Sequence, residues 1–202
     1  MSLSTTSRGE QTRSAILQVA HDLFIKQGYH GTSMRQIAKA AHLALGGLYN
    51  HFSSKEQVFA AVFQAFHPYH EVLPLIAAAQ GDNLEQLVQD AFRRMAQAVE
   101  GRPDFLNLMF IELVEFKSVH TQQLFASLFP QGMQIVRNLV GSFPEQMRPI
   151  PPPVVVRTFL GLFLGYYLTE TALAPGAPPE FKIDAMQNFV DIYLHGILAR
   201  TD

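Results

Sequence analysis

The chain has 202 residues, 48% of them hydrophobic and 16% charged, with a formal net charge of −2 and no cysteine. That composition is too apolar for a disordered protein and suits one large domain, or a small domain fused to a larger one. It excludes a disulfide framework and a thiolate metal site, and it fits a reducing, cytoplasmic setting.

Charge is unevenly distributed. Up to residue 58 there are six Lys and Arg against three acids, a balance of +3, while the remainder carries −5. The front is therefore the mildly positive end, which is permissive for a phosphate-facing surface. The opening MSLSTTSRGEQTRS is polar and lacks the apolar centre of a signal peptide.

Helical periodicity dominates and strand alternation is scarce, so an all-α fold is expected. Ile16, Ala20, Leu23 and Phe24 mark the apolar stripe of a first helix, with Thr12 or Ser14 near its start. Gly28 is expected to end it, with Lys26 in the last turn. Thr32 or Ser33 can cap a second helix, MRQIAKAA. His42 sits where a turn demands positive φ, a conformation that histidine tolerates better than most residues. A short third helix is expected over roughly 45–51. Ser53 with Glu56, or Ser54 with Gln57, reads as a capping box opening a fourth.

Beyond residue 60, Pro68 and Pro74 should bend or stop that fourth helix, and Asp82 should cap the next. A helix then begins at Pro103, and Pro130 is expected to kink or break the one after it. The last two helices are expected at about 153–173 and 181–199. The apolar run at 154–174 is interrupted by Arg157 and Glu170. It is too short for the roughly 20 residues a bilayer needs, so no membrane association is expected. His67 and His70 lie three apart, but Pro68 disrupts the helix that would align them, so no metal site and no cofactor are expected. No nucleophile elbow, phosphate loop or HExxH is present, and no catalytic residue is nominated.

The stretch GGLYNHF poses the central question. Two glycines open a helical run, each costing about 1 kcal/mol relative to alanine in a helix interior. Two short helices joined by a tight turn can be a structural corner or a DNA-reading device. Ile37, Ala38, Ala41, Leu43, Leu48 and Phe52 can form one small inner core, which leaves Leu45, Gly46, Gly47, Asn50 and His51 facing outward. The glycines then read as absent bulk where a helix presses its N-terminal end against a duplex. Tyr49 and His51 can donate to phosphate oxygens. Lys55, unfavourable to the dipole of the helix it opens, would be reconciled by a phosphate.

The run GTSMRQIAKAAHLALGGLYNHFSSKEQVF resembles the DNA-binding head of the tetracycline-repressor (TetR) family, over roughly residues 10–65. The resemblance implies a helix-turn-helix at about 33–52 within a 10–65 head, and a helical ligand-binding and dimerisation body at 66–202. It implies a homodimer that reads a palindromic double-stranded operator and responds to a small hydrophobic effector, more a repressor than an activator. Carried over by position, Thr32 and Ser33 fall at the second-helix cap and Arg35 at a base or phosphate contact. Leu45, Gly47 and Asn50 fall at groove-facing positions, and Tyr49, His51 and Lys55 at phosphate-clamp positions. The family usually has Ser or Thr where this chain has Ala44, so the third helix lacks its side-chain cap.

In the body, Thr158, Gly161, Gly165 and Thr169 form a small-residue line, and Phe189, Tyr193 and Ile197 belong to an amphipathic stripe on the last helix. Both are nominated for the dimer interface. Met109, Phe110, Glu112, Phe163, Tyr166, Tyr167 and Glu170 are the effector-site nominees. A helical enzyme or ligand carrier whose front corner is only structural is the competing reading. A membrane-surface or protein-binding adaptor using the 154–174 helix is a third.

Overall fold

Ile16, Ala20 and Phe24 recur on one side of helix α1 (Arg8–Gly31), and all three are fully buried. In the computed structural model, which describes residues 8–197, the chain is helical throughout and no strand occurs among the described residues. α1 is already helical at Arg8, the first described residue, ahead of Thr12 and Ser14. Gly28 breaks its helical path at φ 76°, ψ 171°, a conformation open essentially to glycine alone, and one further turn follows.

Then come α2 (Met34–Ala40), α3 (Leu45–Tyr49), α4 (Lys55–Phe66), α5 (Tyr69–Ala77), α6 (Leu84–Val99), α7 (Pro103–Glu115) and α8 (Val119–Val140). They are followed by α9 (Pro152–Ala172), a 3-10 turn (Ala174–Gly176), α10 (Pro179–Lys182) and α11 (Ala185–Ile197). Pro74 lies inside α5 and Pro130 inside α8, so neither stops its helix. Each proline removes one backbone hydrogen bond, and the turns on both sides continue past the gap. Asn83, not Asp82, caps α6, because its side chain accepts from the N–H of Gln86. The last helix expected at 181–199 is split, with Asp184 at φ 46° separating α10 from α11; residues 198–199 lie outside the described residues.

The chain divides into two compact units. The first runs to His67 and also takes in Asp104–Leu124. It contains the 10–65 head together with α7 and the first turns of α8. Its core joins Ile16, Phe24, Ile37, Leu48, Val58, Phe59 and Leu108. Phe116, at the α7–α8 corner, stacks on Phe59 at 4.5 Å and meets Tyr29 edge-on.

That corner turns through two consecutive left-handed residues, Lys117 (φ 51°) and Ser118 (φ 64°). Glu112, 1% exposed, holds the turn in place. Its carboxylate accepts the backbone N–H groups of His120 and Thr121 at 2.7 and 3.0 Å, and a further hydrogen bond from His120 Nδ1 at 2.7 Å. It thus caps α8 from the preceding helix.

The second unit comprises Pro68–Pro103 and the chain from Phe125 onward. Leu84, Leu87, Phe92, Met95 and Val99 of α6 are buried, and Phe92 meets Phe159, Phe163 and Tyr166 of α9 edge-on. The loop before α6 is tight: a Cβ on Gly81 would run into the backbone of Gln86 and Leu87. Asp90 secures this loop. Its carboxylate accepts from the Gln80 N–H at 2.9 Å, from Arg94 Nε at 2.6 Å and from Arg93.

Burial alone would push the Asp90 carboxyl up, but the hydrogen bonds from Arg94, Gln80 and Arg93 outweigh it and bring it down to about 2. A depressed folded-state value contributes stability that is complete above the unfolded value near 4 and is lost as pH falls towards 2. At about 1.4 kcal/mol per pH unit of displacement, the contribution is about 2.5 kcal/mol. Asp90→Asn should therefore cost about that much in urea unfolding at neutral pH and flatten the loss of stability between about pH 4 and pH 2.

Candidate nucleic-acid interface

Ser33 opens α2 with a full capping box. Its hydroxyl accepts from the N–H of Gln36, and the Gln36 side-chain oxygen accepts from the Ser33 N–H at 2.8 Å. The turn after α2 passes through His42, which takes φ 55° as its position demanded. The small inner core expected from sequence is present: Ile37, Ala38, Leu48 and Phe52 are buried, with Ala41 and Leu43 packed against them.

α3 is only five residues long, and Ala44 provides no side-chain cap. A helix this short cannot support itself, so the burial of Leu48 must hold it. Gly46, Tyr49 and Asn50 are exposed, whereas Leu45, Gly47 and His51 are partly covered. A Cβ on Gly46 would meet nothing within 4 Å, and one on Gly47 only the Leu43 Cβ at 3.9 Å. Intramolecular packing therefore requires neither glycine. Arg35 is exposed on α2.

Ser54 caps α4 by accepting from the Gln57 N–H, while the Gln57 side chain reaches back to the Ser53 N–H at 3.0 Å. The two serines thus share one reciprocal cap.

Two nominated contacts turn inward. Thr32 is 1% exposed. Its hydroxyl donates to the Gly28 carbonyl at 2.9 Å and accepts from Gln27 Nε2, so its side chain serves the end of α1 and offers nothing to the surface. The Lys55 ammonium donates to the carbonyls of Tyr29 and Thr32, both at 2.8 Å, and sits 4.1 Å from the centre of the Tyr29 ring. The conflict with its own helix dipole is thus resolved by the carbonyl end of α1 and not by an outside anion. Gln27 Nε2 bonds the Gly31 carbonyl at 2.9 Å, so side chains meet the orphan carbonyls from Gly28 to Thr32, Gly28, Tyr29, Gly31 and Thr32 all being served. The Tyr29 hydroxyl donates to Glu56 at 3.1 Å, and burial with that carboxylate pushes the phenol well up. Arg13, not singled out in the sequence, lies over the Phe52 ring at 5.1 Å.

The effector-site nominees do not form one described group. Met109, Phe110 and Glu112 belong to the first unit and the other four to the second. Glu112 is committed to capping α8, and Phe110 is half exposed. Tyr167 is buried, and its hydroxyl donates to the Arg102 carbonyl at 2.6 Å; Phe163 stacks on its ring. Tyr166 packs on Phe92 and Phe189, and Glu170 is exposed.

Most dimer nominees pack within their own chain. Gly165 faces Phe189 of α11, with 3.9 Å from a notional Cβ to that ring. Thr169 bonds back to the carbonyls of Gly165 and Tyr166. Tyr193 is buried and donates to the Val155 carbonyl at 3.1 Å; Thr158, although exposed, bonds back to the carbonyls of Val154 and Val155. The Ile197 side chain lies outside the described residues. Gly161 remains open, flanked on α9 by exposed Leu160, Leu164 and Leu168, with Ile192 exposed on α11. α11 meets the small-residue line at Gly165, through Phe189, and at Thr158, through the Tyr193 hydroxyl, while Gly161 faces outward with the leucines. No helix among the described residues is long and apolar enough to cross a membrane, and none of their acidic and histidine side chains group as a metal site.

Residues 16–62 match the family described as "Bacterial regulatory proteins, tetR family". The chain is 33% identical over 114 residues to the HTH-type transcriptional regulator TcmR of Streptomyces glaucescens, covering 52% of this chain and 48% of that one. It is 39% identical over 64 residues to the regulator AcrR of Shigella flexneri, covering 32% of this chain and 30% of that one. The chain thus spans about half the length of the first curated relative and about a third of the second. Among solved structures, NalD, the secondary repressor of the MexAB-OprM multidrug efflux pump in Pseudomonas aeruginosa, superposes with a TM-score of 0.66 at 23% identity over 95% of this chain and 99% of that one. A TetR-family regulator from Cytophaga hutchinsonii gives 0.68 at 17% over 98% and 100%. At these identities the likeness establishes the fold: an N-terminal helix-turn-helix followed by a helical body.

Removing the Lys55 ammonium should loosen the end of α1. Lys55→Met is expected to lower stability in urea by about 1–3 kcal/mol, because two carbonyls lose a charged donor. It should also speed amide exchange over 28–34, and exchange there at the wild-type rate would contradict the assignment.

Proposed function

We propose, from the premise that this chain belongs to the TetR family of bacterial regulatory proteins, that it is a dimeric, sequence-specific transcriptional regulator and not an enzyme. It acts as a repressor that a small hydrophobic effector releases from a palindromic operator. The single observation carrying this reading is that nothing inside the protein requires Gly46 or Gly47 to lack a side chain, although both weaken a five-residue uncapped helix. A duplex pressed against the start of α3 supplies the missing reason.

In this reading Leu45, Gly46, Gly47 and Asn50 approach base edges, while Ser33, Arg35, Tyr49 and His51 meet phosphates. Thr32 and Lys55 hold the end of α1 so that α2 and α3 present themselves correctly. The exposed leucine face of α9, with Gly161 open beside it and Ile192 on α11, supports pairing with a second copy. The aromatic wall of Phe92, Phe159, Phe163 and Tyr166 in the second unit supports an apolar effector.

Selection from random duplex DNA is expected to return an inverted repeat with half-sites about 10 base pairs, one helical turn, apart or a multiple of that. Enrichment of no symmetric site would sink the reading. Small molecules that release the protein from the selected site then identify the effector class. Gly46→Ala should stabilise the free protein by about 0.5–1 kcal/mol. The same change should weaken operator binding by about tenfold or more, as crowding at a base-reading position costs ~1–3 kcal/mol. A variant that binds as well as wild type would show that the open space is not used. Leu164→Glu should convert the dimer to a monomer in sedimentation and abolish tight binding to the two-fold site while leaving helical content intact.

A further inference from the structure

The proposed interface leaves a shortage of cations. Lys55 is spent on the carbonyls of Tyr29 and Thr32, so the charge most often invoked beside a reading helix is turned inward. Arg35 serves α2. The segment that follows α3, from Asn50 to Ser54, carries no Lys or Arg of its own. Arg13 fills that gap from a different helix. It is exposed on α1, with its guanidinium carbon 5.1 Å from the centre of the Phe52 ring. Phe52 is 5% exposed and closes the small core beneath α3. Among the described residues no carboxylate or carbonyl takes the Arg13 N–H groups.

Contact with an aromatic face does not consume a guanidinium's hydrogen-bonding capacity. The cation meets the ring through its delocalised face, whereas the N–H groups point out along its edges. The ring also restricts the rotamers of a long side chain, so less entropy is lost when an anion docks. Arg13 is therefore a charged fork held on a rigid platform, Phe52, which is the residue next to His51 in the chain. Its N–H groups remain free, unlike those of Lys55. A phosphate oxygen pair is the ligand whose shape and charge such a fork fits.

We infer that Arg13 grips a DNA phosphate flanking the half-site that α3 reads, with Phe52 as the platform that fixes the guanidinium in place. This rests on the regulator reading above. The grip adds affinity without sequence preference, and it ties the angle of α1 on the duplex to the end of the reading segment.

The test uses the full-length protein and the selected inverted-repeat duplex, with affinity measured across a salt series and phosphate-ethylation interference mapped on both strands. Arg13→Ala should weaken binding by roughly tenfold at physiological salt and lower the slope of log K against log salt by about 0.9 per half-site. It should shift the preference among sequences not at all, and the interference at one flanking phosphate per half-site should disappear. Arg13→Lys should keep the slope and the interference while binding less tightly than wild type. Because it retains the charge and the stem, it also decides the matter should Arg13→Ala fold poorly. Should Arg13→Ala keep the wild-type slope and interference, or Arg13→Lys lose the flanking interference, Arg13 only braces Phe52 and the inference is overturned. Wild-type protein that binds no duplex at all would instead overturn the regulator reading.

Discussion

One ammonium ties together α1, the start of α2 and α4. Lys55 lies in the first turn of α4, yet its hydrogen bonds go to Tyr29 in the last turn of α1 and to Thr32, the residue before the α2 cap. The start of α2 is thus fixed relative to both longer helices before any packing of α2 itself is considered. The Gly28 break makes this necessary. It turns the end of α1 aside and leaves a run of carbonyls that Thr32, Gln27 and Lys55 must satisfy between them. A positive charge at the start of α4 opposes that helix's own dipole, but here it lies at the negative end of another.

Above this clasp sits a helix that local forces alone would not form. α3 has five residues, two glycines and no side-chain cap, and each of these features lowers its stability. Leu48, fully buried among Ile37, Ala38 and Phe52, supplies the tertiary anchor. The surface that remains has little bulk at its N-terminal side and an aromatic hydroxyl, an amide and an imidazole after it. The stability that this surface helix lacks locally is supplied by the core directly beneath it.

Features set by neighbours in sequence were legible from the chain alone. The cap of α2, narrowed to Thr32 or Ser33, the left-handed His42 and the inner core of α2 and α3 each depend on residues a few positions apart. Features set by distant partners were not. The carbonyls that capture Lys55 lie 23 and 26 residues away, and the carbonyl that holds the Tyr167 hydroxyl lies 65 away, so each polar side chain read as free until the fold was known. Glu112 was misread for a related reason: its partners lie across a turn of two left-handed residues, neither of them the glycine or asparagine that marks such a turn. The small-residue line on α9 meets α11 of the same chain at Gly165 but stays open at Gly161, a division that periodicity along one helix cannot give. The helix-turn-helix is therefore readable where the body is not, because its determinants are short-range.

The placement of Phe116 bears on how such chains are built. Its ring lies flat on Phe59 and edge-on to Tyr29, and Glu112 and His120 lock the hairpin that carries it. A cut after α4 would strip this cover and leave two core aromatics facing water. A fragment meant to keep this core folded must accordingly bring the 104–124 hairpin along, or else rebuild its underside: two separated stretches of the chain make one structural part.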